Sequence, residues 1–495
     1  MRPAAARAAR RLGAVPVPLR LILAVAAVEL ACWITFVPPW QAPDEPAHFA
    51  YAQHLAEIGH PPTKSFPKTG AGSESTQQGS AESWLNLRTS LGQAGVRPLS
   101  DAIDLKTWHQ LEKALPPTAK SDGYGPNAIA QNPPLYYAYE AIPYTAVGSD
   151  HILTTVFWMR AWTGLLFLLT VIFTWLAAGE LLGRRRWLQA LAAGAVALLP
   201  QLAYMGSVIN PDTALATIWA AFTWLAIRLV RRGPSPGRIL AMALVVALSI
   251  VTHGRGLPLA APGALALVLS FARHRAFAWR NLAAAAAALV VVVLALAWAF
   301  HITATTGGSA YGGEANFVAG GFTLKGFLNY VWQFYFPSLP GMNPKIGPAY
   351  GFNQVFVYSF FGTFGSLEVG FPAWVYDWLH TAELVGGVAL VVCLWVARRR
   401  VLRSWDVLLV MAATFVSLLF VLHFVAYRDM LGQPGDPVLV GRYVLPLISL
   451  WALGIATIAA TLPRRFGLAL ATLVITAGTL LQVAGLGLTV TRFYG

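Results

Sequence analysis

Apolar positions in this chain fall in long unbroken runs. They show neither the alternation of a half-buried strand nor the three-and-four spacing of a surface helix. A helix needs about 20 such residues to cross a hydrocarbon core of roughly 30 Å. Eleven runs approach that length, near 19–38, 152–182, 187–205, 212–230, 239–253, 257–272, 282–304, 381–397, 406–427, 441–462 and 467–490. The run at 257–272 is short and holds Pro258 and Pro262. The pattern predicts an all-α integral membrane protein with about eleven transmembrane helices, in a range of 10–13.

The polar text between the runs is unevenly shared. Two connections are long, 39–150 and 305–380, and the others are short. The first holds a Ser-, Gly- and Gln-rich stretch from Thr69 to Ser83 that reads as a mobile loop. Helical patterns flank it at Pro46 to Ile58 and Ile103 to Leu115. The second is rich in aromatic residues, from Phe327 to Phe336 and from Phe360 to Phe364. Trp and Tyr favour the headgroup level, so both segments are expected to carry interfacial helices that roof the bundle. No internal repeat stands out.

Charge fixes the expected orientation. Most of the 35 Lys and Arg lie in the first 18 residues or in every second connection, such as Arg184 to Arg186, Arg398 to Arg400 and Arg464 to Arg465. The positive-inside rule then puts residues 1–18 in the cytoplasm, segments 39–150 and 305–380 outside, and the tail 491–495 outside as well. Helices two to seven fill 151–304 and helices eight to eleven fill 381–490. The net charge of +14 is thus topology, and nucleic acid is excluded as its reason. Only 11% of residues are charged, against about 25% in soluble domains. Cys32 and Cys393 sit inside apolar runs and imply neither a disulfide framework nor a zinc knuckle. The first run has a basic flank but no small-residue cleavage site, so it reads as a retained anchor. Arg far outnumbers Lys, which suits a GC-rich bacterial genome and a cell (inner) membrane location.

Candidate chemistry starts where the first run ends, at Pro43-Asp44-Glu45-Pro46. Prolines on both sides stiffen the backbone that carries two carboxylates beside lipid. Asp44 suits a general base whose pKa the membrane surface raises, with Glu45 orienting it, touching the acceptor or sharing a divalent cation, Mg or Mn. Equally, Asp44 suits the N-cap of a helix starting at Pro46. His48 follows one turn later and could assist the acids or bind phosphate. Asn132 and Tyr136, in Asn-Pro-Pro-Leu-Tyr-Tyr, are candidates for a cavity wall or for a rigid entry turn. Asn210 and Asp212 occupy a tight turn on the same side, where Asp212 also suits a helix cap. His253 with Arg255, and Arg442 with Tyr443, bring guanidinium forks that match phosphate oxygens; arginines at helix ends also snorkel to headgroups. Arg160 lies within an apolar run and is expected to face a polar cavity or a partner, with Glu29 the only comparable acid.

These residues resemble a large family of bacterial multi-pass membrane proteins catalogued as of unknown function. The resemblance rests on Pro38 to Phe49, Asn132 to Tyr137, Asn210 to Leu215, Trp332 to Pro337, Phe360 to Gly365 and Gly441 to Tyr443, and spans nearly the whole chain. That family in turn resembles the GT-C class of membrane glycosyltransferases. The likeness implies a polyprenyl-phosphate-linked sugar as donor, and a glycan, lipid or protein acceptor at the outer face of the bilayer. The acidic motif carries over onto Asp44 and Glu45, and the phosphate-binding role onto Arg442 and Arg255. The sequence departs from the protein mannosyltransferases in following Asp-Glu with Pro-Ala-His. An inverting sugar transfer is the function expected. A lipid-linked glycan flippase would need a polar midplane path, for which Arg160, Glu29 and His423 are the candidates. A polysaccharide ligase would share the external site.

Overall fold

The computed structural model describes residues 15–62, 127, 129–147, 152–306, 321–336, 338–342, 352–365, 367–432 and 439–494. The expected loop at Thr69 to Ser83 and helix at Ile103 to Leu115 lie outside them. The chain is mainly helical because runs of Leu, Ala and Val can satisfy every backbone group internally, as hydrocarbon demands.

Helix α1 spans Val17–Phe36 and ends at the turn leading to α2, Glu45–Ile58. Next come α3, Leu135–Val147, and the long α4, Ile152–Leu182. Helices α5, Arg186–Ala197, and α6, Pro200–Met205, follow, then α7, Pro211–Arg232, and α8, Pro236–Thr252. A 3₁₀ turn at Gly254–Leu259 opens α9, Ala260–His274, which is followed by α10, Trp279–Thr305. Helices α11, Leu324–Tyr335, and α12, Phe352–Phe361, precede a two-stranded hairpin. In the hairpin β1 pairs antiparallel with β2, Thr363 opposite Gly370 and Phe364 opposite Val369. The chain closes with α13, Ala373–Val396; α14, Arg398–Arg403; α15, Trp405–Gly432; a second 3₁₀ turn, Gly441–Leu447; α16, Ile448–Thr461; and α17, Arg464–Tyr494.

Among the described residues nine helices, two of them counted with their leading 3₁₀ turns, are long and apolar enough to cross a membrane; α8, with 17 residues, is shorter. The run expected to span 187–205 is instead broken. Leu199 is extended and Pro200 starts a new helix, because proline cannot continue the ladder from α5. The membrane-facing character of the outer helices is direct. Leu21, Val25 and Val28 on α1, Leu289 and Leu294 on α10, and Val385, Val388 and Val392 on α13 are all exposed apolar side chains. Such faces contact the lipid bilayer.

Helix α7 is the hub: 78% of its most apolar stretch is buried, against 6% for α13. It packs on α4, α8, α9 and the second 3₁₀ turn. Its first turn therefore delivers polar groups to the centre of one end of the bundle. The hairpin and α12 close over that end. Phe364 lies 4.6 Å from the Trp33 ring, and Tyr204 donates its hydroxyl to Gly365. The Phe-Phe-Gly-Thr-Phe-Gly text thus plugs the bundle rather than entering the site.

Candidate functional site

The site grows from the turn after α1. Trp40 and Asp44 both adopt left-handed backbone, with φ of 68° and 61°. Asp tolerates this region better than most residues; Trp does not, so surrounding structure must hold it. The effect is to point the adjacent carboxylates of Asp44 and Glu45 at different partners.

Glu45 is fully buried. Arg160 on α4 grips it as a fork, Nε to Oε1 at 2.7 Å and Nη2 to Oε2 at 2.6 Å. The backbone N–H groups of Trp40 and Ile209 donate to the same two oxygens at 3.1 and 3.2 Å. Arg160 also donates to the carbonyls of Val37 at 2.6 Å and Pro38 at 3.0 Å, where α1 has just ended. A cation there complements the helix C-terminus. The expected partner of Arg160, Glu29, instead accepts a bond from Gln482 at 3.4 Å. The reason is depth: Arg160 sits level with the end of α1 at Phe36, and Glu29 lies seven residues back along it. With both oxygens of Glu45 taken, Glu45 itself has none left for a divalent cation or an acceptor, and its neighbour Asp44 faces a different partner. The described residues hold no cluster of three or more His, Cys, Asp and Glu side chains suited to a metal ion.

Asp44 is different. Its side chain is 54% exposed, and its Oδ2 accepts from Arg442 Nη2 at 2.7 Å. It precedes α2, but its side chain makes no capping bond. Burial pushes its carboxyl up, yet the Arg442 guanidinium, with His48 and Arg255, outweighs that and holds it below the usual carboxylate range. The expected upward shift is therefore reversed, because a cation and not lipid is its nearest neighbour.

Asp212 begins α7 but does not cap it. Asn210 does, its side-chain oxygen accepting from the Asp212 N–H at 2.9 Å. Asp212 is thus free to take Arg255 Nη2 at 2.5 Å, while its other oxygen stands 4.0 Å from Arg442 Nε. That second distance is an ion-pair separation too long for a hydrogen bond. Both guanidiniums lie against the Tyr443 ring, 4.2 Å away for Arg255 and 5.5 Å for Arg442. His253 accepts from the Arg255 N–H at 3.1 Å. Burial and that guanidinium hold its ring well below the ordinary histidine pKa.

Each arginine is set by an adjoining glycine. A Cβ at Gly441 would meet the Phe356 carbonyl at 1.9 Å, and one at Gly256 would meet the Ser249 carbonyl at 1.8 Å. Only glycine lets these 3₁₀ turns lie so close to their neighbours. The turns also match in sequence: Gly-Arg-Gly-Leu-Pro-Leu at 254–259 and Gly-Arg-Tyr-Val-Leu-Pro-Leu at 441–447. That shared text is too short to stand out as a repeat along the chain.

His48 lies near the carboxylates of both Asp44 and Asp212. The Asn210 amide faces its Nε2 at 3.3 Å, and its Nδ1 meets the Tyr137 hydroxyl at 3.0 Å. Asn210 must donate here because its oxygen is engaged, so Nε2 accepts and Nδ1–H donates to Tyr137. Burial pushes the ring down to about 4, and it stays neutral. Asn132 donates to the same hydroxyl at 3.0 Å and Tyr51 stacks on the Tyr137 ring at 3.7 Å. Tyr137 thus does the work expected of Tyr136, whose hydroxyl turns instead to Thr163 at 2.9 Å. Glu140 also bonds Thr163, at 2.7 Å, and burial pushes its carboxyl up to about 8. Nothing in its sequence context singled it out.

A family model described as "Predicted membrane protein (DUF2142)" matches residues 28–451. Comparison with curated proteins and with solved structures gives no match.

Proposed function

The chain belongs to this family of predicted membrane proteins, and from that premise we propose that it is a GT-C-type glycosyltransferase. It transfers a sugar from a polyprenyl-phosphate donor to an acceptor hydroxyl at the outer face of the bacterial inner membrane. The observation that carries this reading is a half-exposed carboxylate, Asp44, on the buried guanidinium of Arg442, with the part-buried guanidinium of Arg255 beside it on the same Tyr443 ring, at one end of a membrane bundle. Asp44 takes the proton as the acceptor oxygen bonds to the anomeric carbon. The bond from that carbon to the lipid phosphate breaks, and its electron pair goes to the phosphate oxygen beside Arg442 and Arg255. Inversion follows from attack opposite the leaving phosphate. The fixed cations stabilise charge where it develops, which is usually the largest contribution to such a step.

The transport reading finds less support. Its midplane candidates are engaged with the protein itself: Arg160 with Glu45, Glu29 with Gln482, and His423 with Tyr335 at 2.8 Å. The test is transfer of label from a polyprenyl-phosphate sugar in membranes holding normal protein levels. Asp44→Asn should lower the rate by roughly 10²–10⁴-fold. An unchanged rate overturns the proposal.

A further inference from the structure

The two guanidiniums are not fully used. Arg442 Nε and Nη1 and Arg255 Nη1 are buried without a hydrogen-bond partner, as is Asp212 Oδ2. A buried N–H without a protein partner is costly, and three of them beside Tyr443 mark a place suited to a further acceptor. The acceptor chemistry is anionic, since guanidinium forks pair best with oxyanions.

The two carboxylates already there differ in freedom. Asp212 is 1% exposed and locked to Arg255, so it can leave only by burying its charge elsewhere. Asp44 is 54% exposed and can turn to water without that penalty. With both acids in place the charges of the two arginines are cancelled. With Asp44 withdrawn, one positive charge is left over, which matches one phosphate monoanion.

We propose that Asp44 occupies, in the ligand-free protein, part of an anion site that belongs to the donor phosphate, so that donor and carboxylate compete for Arg442. The proposal rests on the glycosyl-transfer reading above. Its consequence is an order of events. While Asp44 is held by Arg442 it is a poor base, and the arriving phosphate both fills the site and releases the base. Donor binding therefore precedes activation of the acceptor, and a hydroxyl bound alone is not deprotonated.

The experiment measures binding of farnesyl phosphate, and separately of inorganic phosphate, to the full-length protein in lipid nanodiscs. Removing the competitor with Asp44→Asn should tighten both by about 5-fold or more. The gain should persist at about 0.5 M salt, where through-space effects of a half-exposed charge are screened within about 4 Å. Asp44→Gly repeats the test on a backbone for which φ of 61° is free of strain. Arg442→Gln should weaken binding at least tenfold. Equal affinity in wild type and both Asp44 variants, or a gain that vanishes with salt, overturns the competition. These results separate from the function test. Lost transfer with unchanged affinity sinks the competition and spares the base, whereas tighter binding with unchanged transfer does the reverse.

Discussion

Asp44 and Glu45 are neighbours in sequence, each held by an arginine, and the two pairs are built to opposite ends. The Glu45–Arg160 pair is sealed: Glu45 receives both prongs of the Arg160 fork and two backbone N–H groups, and the arginine spends its remaining donors on the end of α1. The Asp44–Arg442 pair is open: one bond joins them, and Nε and Nη1 of the same arginine go without. A buried ion pair whose hydrogen bonds are complete fixes geometry and has nothing left to offer a ligand. An incomplete one is poised to bind. Satisfaction, more than residue type or position, separates the strut from the site.

The sharpest way to break this contrast is to remove one side of the sealed pair. Arg160→Met strands the Glu45 carboxylate in a fully buried place and unties three chain segments at once. Losing one partner of a buried pair costs about 3–5 kcal/mol, so the variant should melt far below wild type or fail to survive solubilisation. Glu45→Gln should cost less, because Arg160 keeps its carbonyl acceptors. Replacing both together should recover part of the loss. Wild-type melting curves for Arg160→Met would mean that the pair is not the strut described.

A conservative change made in both places sharpens the comparison. Lysine keeps the charge but loses the planar fork. Arg160→Lys should lower thermal stability, with transfer falling only as folded protein falls. Arg442→Lys should leave melting within a degree or two of wild type and cut transfer by about 10–100-fold per folded molecule. Matching responses at the two positions would erase the distinction.

Much of this was legible in the chain. Run lengths placed most of the long helices to within about five residues, since crossing hydrocarbon leaves few alternatives, although α13 starts eight residues before its run, at Ala373. The expected eleven spans fall to nine among the described residues, because proline breaks the run at Pro200 and α8 has only 17 residues. Asp44 was legible because a carboxylate between prolines is rare beside lipid. Glu45 was not, because adjacency suggests a shared pocket and no sequence rule announces that φ at Asp44 is positive. Arg160 announced itself as a charge in an apolar run but not its partner, 115 residues away. That contact depends on how α4 sits against the end of α1. The cap expected of Asp212 is made by Asn210, since either can cap and only packing decides which is spared for Arg255.

The smallest effect concerns His48, which lies on the side of the open pair, near Asp44 and Arg442. His48 touches Asn210 and Tyr137 as a neutral ring, and its folded pKa is about 4 where an ordinary histidine has 6.5. Between those values the unfolded chain binds a proton that the folded protein refuses. Stability contributed by the neutral ring is therefore complete above pH 6.5 and is lost as pH falls toward 4. His48→Gln keeps a donor and an acceptor at the site but cannot titrate. Its melting temperature should fall less steeply across that window, by about 2–4 °C relative to wild type. Above pH 7 the two curves should run together. Parallel curves from pH 7 down to 4 would show that His48 titrates normally, and its ring would then be a charged group beside Arg442 able to compete for the same phosphate.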